Sequence, residues 1–354
     1  YAVLAVICLM APIVAWGKSI DLDIRPGEGV TGQRKLSDYF APLKDTNLDT
    51  DVFILDSGKP GVTALMLGGT HGNELAGTTS GLIAVENAVM RSGKLIVIPY
   101  ANHSAISVED TRNQIVQRHW IKSRSGERYL VYGDRRTDPE DQRAEDPEVY
   151  RNPMGYELTN GAESRNLNRT YPGKPDGTPT EQLSFAIIKL IGQEKVDLSL
   201  DMHEADTPEK KIQTDGDYRP GGNKRLAYTL VSHPRGLEIA AFALLGMEED
   251  TSISMKLEES NTTYRGLSHL EIGDAADCLS FLSESPNPGQ DRWREDADVV
   301  TDPDYPVTHR AGLHLRLFLH LATALENMGG ESLEIEGLPT YSELMAGDIG
   351  RYLN

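Results

Sequence analysis

His71 and Glu74, in the run GGTHGNE at 68–74, have the His-x-x-Glu spacing of a two-residue metal clamp. His203, in the run DMHEA at 201–205, offers a third ligand if its strand ends beside the first. Two imidazoles and one carboxylate suit zinc, and they leave the fourth tetrahedral position for a water that the metal acidifies. Between these runs, Asn168-Arg169 in NLNRTYPG at 166–173 provides an amide and a guanidinium fork, donors that hold a carboxylate at two points. Glu284, at the end of the apolar run that begins at Cys278, offers a base to take a proton from the water and return it to a departing amine. Each feature alone has a plainer explanation: a chance His-x-x-Glu, a solvated arginine on a loop, a glutamate where a strand enters a turn. Their presence together in one chain points to metal-assisted hydrolysis.

These residues need elements to bring them together. The apolar run at 62–67, closed by Gly68-Gly69, reads as a buried strand, and the segment from Asn73 onward reads as a helix with Leu75, Leu82, Ile83 and Val85 on one stripe and its cap at the Gly72-Asn73 turn. His71 and Glu74 therefore fall on a strand-to-helix turn, where open α/β sheets place their ligands. Further strands are expected at 51–55, 94–99, 196–202, 252–257 and 278–283. Helices are expected at 73–90, 181–193, 236–249 and 310–327. Strands alternating with helices imply a three-layer α/β/α domain around a mixed, mostly parallel central sheet. In the last helix Leu313, Leu317, Leu321 and Leu325 form the core stripe. His314 and His320 fall off it and read as surface or packing histidines rather than ligands.

The ordered set of His-x-x-Glu, Asn-Arg, His and Glu resembles the zinc carboxypeptidase superfamily, and GGTHGNE, NLNRTYPG and DMHEA look most like its succinylglutamate desuccinylase/aspartoacylase branch. The resemblance covers about residues 50–330. It implies one Zn2+ per chain on His71, Glu74 and His203, substrate carboxylate on Asn168 and Arg169, Glu284 as general base, and hydrolysis of the amide bond of an N-acyl amino acid or a similar small carboxylate substrate. The chain departs from that branch in three respects. No arginine stands at the usual offset before the Asn-Arg pair, so Arg165 is a substitute by proximity, as is Arg151. The long interval from His203 to Glu284 is nearer the peptidase pattern, in which a tyrosine before the base touches substrate, a part open to Tyr264. The small C-terminal β domain common in the branch is not expected in the short stretch after the last helix. A zinc carboxypeptidase acting on peptides or cell-wall stems, or a metal-dependent binding protein without turnover, are the competing readings.

The formal charge of −19 disfavours nucleic acid and anionic membrane surfaces as partners. Residues 1–17 are uncharged and apolar and read as a secretory signal peptide truncated at its start, with Ala15 and Gly17 ahead of cleavage before Lys18. Ile7 argues against lipid attachment at Cys8. A periplasmic or secreted protein without a stable membrane anchor is expected. Cleavage leaves Cys278 as the one cysteine, so stability must come from the core rather than from a disulfide. The expected organisation is a lead-in at 18–50, a hydrolase domain at 51–330 and a tail at 331–354. The polar stretch at 107–161, dense in charge and proline around Arg135-Arg136, reads as a long insertion without regular structure that borders the cleft.

Overall fold

The computed structural model describes residues 20–109, 115–208, 226–291 and 294–354. The proposed signal peptide at 1–17 lies outside these residues. The strands of the main sheet are β1 (Gly32–Lys35), β2 (Asp51–Asp56), β3 (Thr63–Leu67), β4 (Lys94–Ile98), β5 (Leu198–Ala205), β6 (Thr229–Ser232), β7 (Lys256–Glu259) and β8 (Leu279–Pro286). They form one eight-stranded sheet in the order β1-β2-β4-β3-β5-β8-β6-β7. The central neighbours β4/β3, β3/β5 and β5/β8 are parallel, as is β6/β7. The pairs β1/β2, β2/β4 and β8/β6 are antiparallel. The mixed, mostly parallel sheet expected from the sequence is therefore present.

Alternation along the strands divides the core in two. Leu198, Leu200 and Met202 of β5 join Met66 and Phe281 on one face, packed against α1 (Leu75–Asn87), α3 (Leu237–Thr251) and α5 (Val307–Asn327). Leu65, Leu67, Ile96 and Ile98 face the other way, against α2 (Pro179–Glu194) and α4 (Ser268–Ala275). Helices on both faces make the three layers. The start of α2 is written in its sequence: Pro179 occupies the first turn, and Thr178 and Glu181 close a reciprocal capping box.

Several sequence expectations shift. α1 is not a one-sided amphipathic helix, because every residue from Leu75 to Glu86 is buried. Its cap position is Glu74 rather than Asn73, and that side chain makes no capping bond. The carboxylate of Glu204 instead reaches across from β5 and accepts from Ala76 N at 2.9 Å. His203 and Glu284 sit within β5 and β8, since both strands run further than expected. The stretch at 107–161 is not without regular structure: it carries a hairpin of Arg118–Ser123 with Gly126–Val131, a short helix Pro139–Gln142 and a small hairpin of Tyr150–Arg151 with Glu157–Leu158. In the tail, Glu334–Glu336 pairs with Val89–Ser92, and a short helix, Tyr341–Met345, packs against α5.

Candidate metal centre and active site

The turn from β3 into α1 presents His71 and Glu74, and β5 presents His203; all three side chains are buried. His71 Nδ1 is 2.7 Å from Glu74 Oε1. His203 Nδ1 is 2.8 Å from Glu74 Oε2 and 3.2 Å from His71 Nδ1. The three side chains form a group whose ligand atoms all lie within 4.8 Å of one another.

The other imidazole nitrogens decide the donor set. His71 Nε2 faces Asn166 Oδ1 at 2.9 Å, and His203 Nε2 faces Asp201 Oδ2 at 2.9 Å. Asn166 Nδ2 is given to Glu163, which fixes its oxygen toward His71. Each Nε2 therefore carries a hydrogen, and each Nδ1 turns a lone pair toward the same point as the Glu74 carboxylate. Tetrahedral zinc with bonds of about 2.0–2.1 Å separates its ligand atoms by about 3.3 Å, close to the imidazole separation seen here. The three residues fit a zinc-type cation.

Electrostatics point the same way. Burial, with Arg135 adding to it, pulls His71 down to about 4. Although burial opposes its charge, Asp201 and Glu74 lift His203 well above the usual histidine range. Burial also acts against the Glu74 carboxylate, but His71 and His203 hold it well below its ordinary value. A cation bound at the convergence point would replace the proton on His203, because only the neutral ring can ligate.

Glu284 lies directly beside His203 in the parallel register of β5 and β8, so both project from one face. Burial pushes its carboxyl up to about 8, with Glu74 and Asp201 adding to the rise and His203 and Arg135 opposing it. A bound cation would draw it back down. Glu284 Oε2 is buried without a hydrogen-bond partner.

The Asn-Arg pair is on the short helix Leu167–Thr170, entered through an Asn166 cap. Asn168 Oδ1 accepts from Ser268 N at 2.8 Å, which ties it to the start of α4. Its amide nitrogen lies 3.5 Å from His203 Nε2, placing this side chain at the edge of the metal cluster. Arg169 Cζ lies 5.6 Å from the centre of the Tyr264 ring, and its Nε is 3.5 Å from Glu163 Oε2. Tyr264 also packs on Tyr156, with ring centres 4.7 Å apart. Arg165 is turned elsewhere: its fork is bidentate to Asp146 at 2.7 and 2.8 Å, and its Nη1 donates to Thr137 O. Arg151 pairs with exposed Glu157.

Three residues of the site were missed from sequence. Asp201 had a readable signal, because a residue two before His203 on a strand must share its face. Asn166 belongs to the same motif as Asn168 but faces His71. Arg135 places Nη1 3.3 Å from Glu74 Oε1 and had no local signal. Its approach depends on backbone bonds from Gly72 N to Asp134 O and from Gly133 N to Gly72 O, both 2.7 Å. Glu204, next to His203 in sequence, points to the opposite face, where it pairs with buried Arg310 at 2.5 Å. His314 is buried with Nδ1 2.7 Å from Ser283 Oγ, and His320 lies 3.2 Å from Asp250, so neither joins the cluster.

No protein-family model and no curated protein sequence matches the chain. Among solved structures it is similar to tripeptide-bound Csd4, a cell shape determinant protein from Helicobacter pylori, with 14% identity over 84% of this chain and 59% of that one and a TM-score of 0.47. A succinylglutamate desuccinylase from a Silicibacter species aligns over 82% of this chain and 64% of its own at 17% identity and a TM-score of 0.43. A succinylglutamate desuccinylase/aspartoacylase from Rhodobacter sphaeroides aligns over 91% and 71% at 16% identity and a TM-score of 0.46. The chain thus spans less than two thirds of the length of the first two structures.

Proposed function

We propose that the chain is a zinc-dependent hydrolase that cleaves the amide bond of an N-acyl amino acid or a similar small carboxylate substrate. The observation that carries this reading is the convergence of His71, Glu74 and His203 on one point, with Glu284 in register beside His203. When bound, the metal supplies Lewis-acid polarisation of a carbonyl and lowers the pKa of a water. Asp201 and Asn166 orient the two imidazoles toward it. The Glu284 carboxylate takes the proton from the attacking water and delivers it to the departing nitrogen. Arg169 and the Asn168 amide bind the substrate carboxylate, and Arg135 supplies a second guanidinium on the Glu74 side of the cluster. Arg135 thereby takes the part that the sequence had left to Arg165, whose donors are committed to Asp146 and Thr137. Tyr264 packs its ring against the Arg169 guanidinium.

The test is elemental analysis of purified protein followed by assay on N-acyl amino acids and on peptides with free C-termini. One zinc per chain and turnover on the first panel are expected. Glu284→Gln should keep its zinc and lose activity by about a thousandfold or more, since a positioned acid-base group contributes about 10²–10⁴ and this one serves both proton transfers. A variant that retains most of its turnover excludes Glu284 as the base, and turnover confined to the peptide panel favours the carboxypeptidase reading. Among the described residues no helix is long and apolar enough to cross a membrane. Export is proposed on the apolar sequence of residues 1–17, and protein found only in the cytoplasmic fraction would oppose it.

A further inference from the structure

Thr229 opens β6, and the antiparallel register sets it directly opposite Glu284. Glu284 in turn lies beside His203. Residues paired in this way project from the same face, so His203, Glu284 and Thr229 form one row across three strands. Two atoms in that row share a property. The Thr229 hydroxyl and Glu284 Oε2 are both buried, and neither has a hydrogen-bond partner. Thr229 is 0% exposed and Glu284 9%.

A buried polar atom without a partner forfeits its hydration, and folded proteins seldom leave one so. Here the two atoms are chemically complementary, a hydroxyl that donates and a carboxylate that accepts. Side chains directly opposite in an antiparallel pair have Cβ atoms about 4.5–5.5 Å apart, within reach of a rotamer change or of one bridging water. Both atoms are closed to bulk solvent, and the register sets the two side chains opposite one another. We propose that Thr229 is a positioning residue for the base: its hydroxyl donates to the Glu284 carboxylate, directly or through one buried water. It thereby holds that carboxylate toward the water to be deprotonated. This rests on the reading of Glu284 as general base.

Thr229→Val removes the hydroxyl at constant shape, and Thr229→Ser keeps the hydroxyl without the methyl. With the metal-loaded enzyme, Thr229→Val should lower kcat about ten- to hundredfold, the range that a hydrogen bond to a charged group represents. KM and zinc content should not change, and Thr229→Ser should restore most of kcat. A Thr229→Val enzyme as fast as the unmodified one overturns the proposal, as does a Thr229→Ser enzyme equally impaired, which would assign the loss to packing of the methyl. If Glu284→Gln is itself active, the base reading falls and this inference with it. If Glu284→Gln is inactive while Thr229→Val is not, the inference falls alone. A double-mutant cycle of Thr229→Val and Glu284→Leu on urea unfolding requires no substrate. Coupled effects support the contact, and additive effects overturn it.

Discussion

A metal ligand is only as well placed as the group behind it, and the two histidines of the proposed centre are backed unequally. His71 leans on the neutral amide of Asn166, whereas His203 leans on the carboxylate of Asp201. Asp201 is itself fixed by Thr70 Oγ1 at 2.8 Å and by Ser268 Oγ at 2.6 Å. His203, with these hydroxyls, holds its carboxyl below the usual range even though burial works against the charge. Asp201→Asn keeps an acceptor for one hydroxyl but removes the negative charge behind His203. It should weaken zinc binding about 10- to 100-fold, read by competition with a chromophoric chelator; an affinity within error of the unmodified protein would show that the carboxylate is incidental. At this scale the sequence pointed to residues that the fold brings together where chemistry and spacing coincide, as in His71, Glu74, His203 and Glu284. It was silent on Arg135, because nothing in the charged stretch around 135–147 shows which of its arginines folds inward. It misdirected attention to Arg165, whose place in the chain beside the Asn-Arg pair does not bring it to the metal.

The proposed ligands belong to different elements, so the geometry of the candidate centre is the geometry of helix against strand. Glu74 stands at the head of α1 and His203 within β5. The two approach closely because Gly77 lets the helix lie on the strand backbone: a Cβ built there would come 2.3 Å from Met202 O. A carbonyl in a central strand cannot move aside as the end of a side chain can. Gly77→Ala must therefore push the first turn of α1 away from β5, separating Glu74 from His203 and pulling Ala76 N from Glu204. Overpacking of this kind costs about 1–3 kcal/mol, so the urea midpoint and the zinc affinity should fall together. A variant that lost stability but bound zinc normally would show that the turn carrying His71 and Glu74 moves independently of the helix. The strands that frame this contact were legible as short apolar runs between glycines. The all-round burial of α1 was not, because it includes Thr78, Thr79 and Ser80, each of which donates its hydroxyl to a carbonyl of its own helix. The hairpin from Arg118 was hidden by the charge of its exposed face, where Arg118, Trp120 and Lys122 alternate with inward residues.

Across the whole molecule, two sets of buried groups answer to pH in opposite senses. Burial holds His269 and His314 down to about 3 and His309 down to about 4. Each is packed neutral against a hydroxyl: Ser260 on His269, Ser283 on His314, and Tyr228 and Tyr341 on His309. Burial likewise raises Asp291 to about 6 and lifts Glu86 and Glu204 above the carboxylate range. A histidine whose folded pKa is depressed contributes stability that is present in full above its unfolded value near 6.5 and is lost as pH falls toward the folded value. A raised carboxylate contributes stability that is present below its unfolded value and is lost as pH rises through its folded one. The two sets act in opposite directions, so the net pH profile of the protein isolates neither. A difference between variants does isolate one. His314→Gln retains a hydrogen-bonding group toward Ser283 and removes one titration, leaving every other group in place. The stability advantage of the unmodified protein over this variant should shrink by about 1.4 kcal/mol for each pH unit below 6.5, measured by urea unfolding of the zinc-loaded protein at pH 7, 6 and 5. An advantage that stayed constant over that range would mean that His314 takes up its proton within the fold.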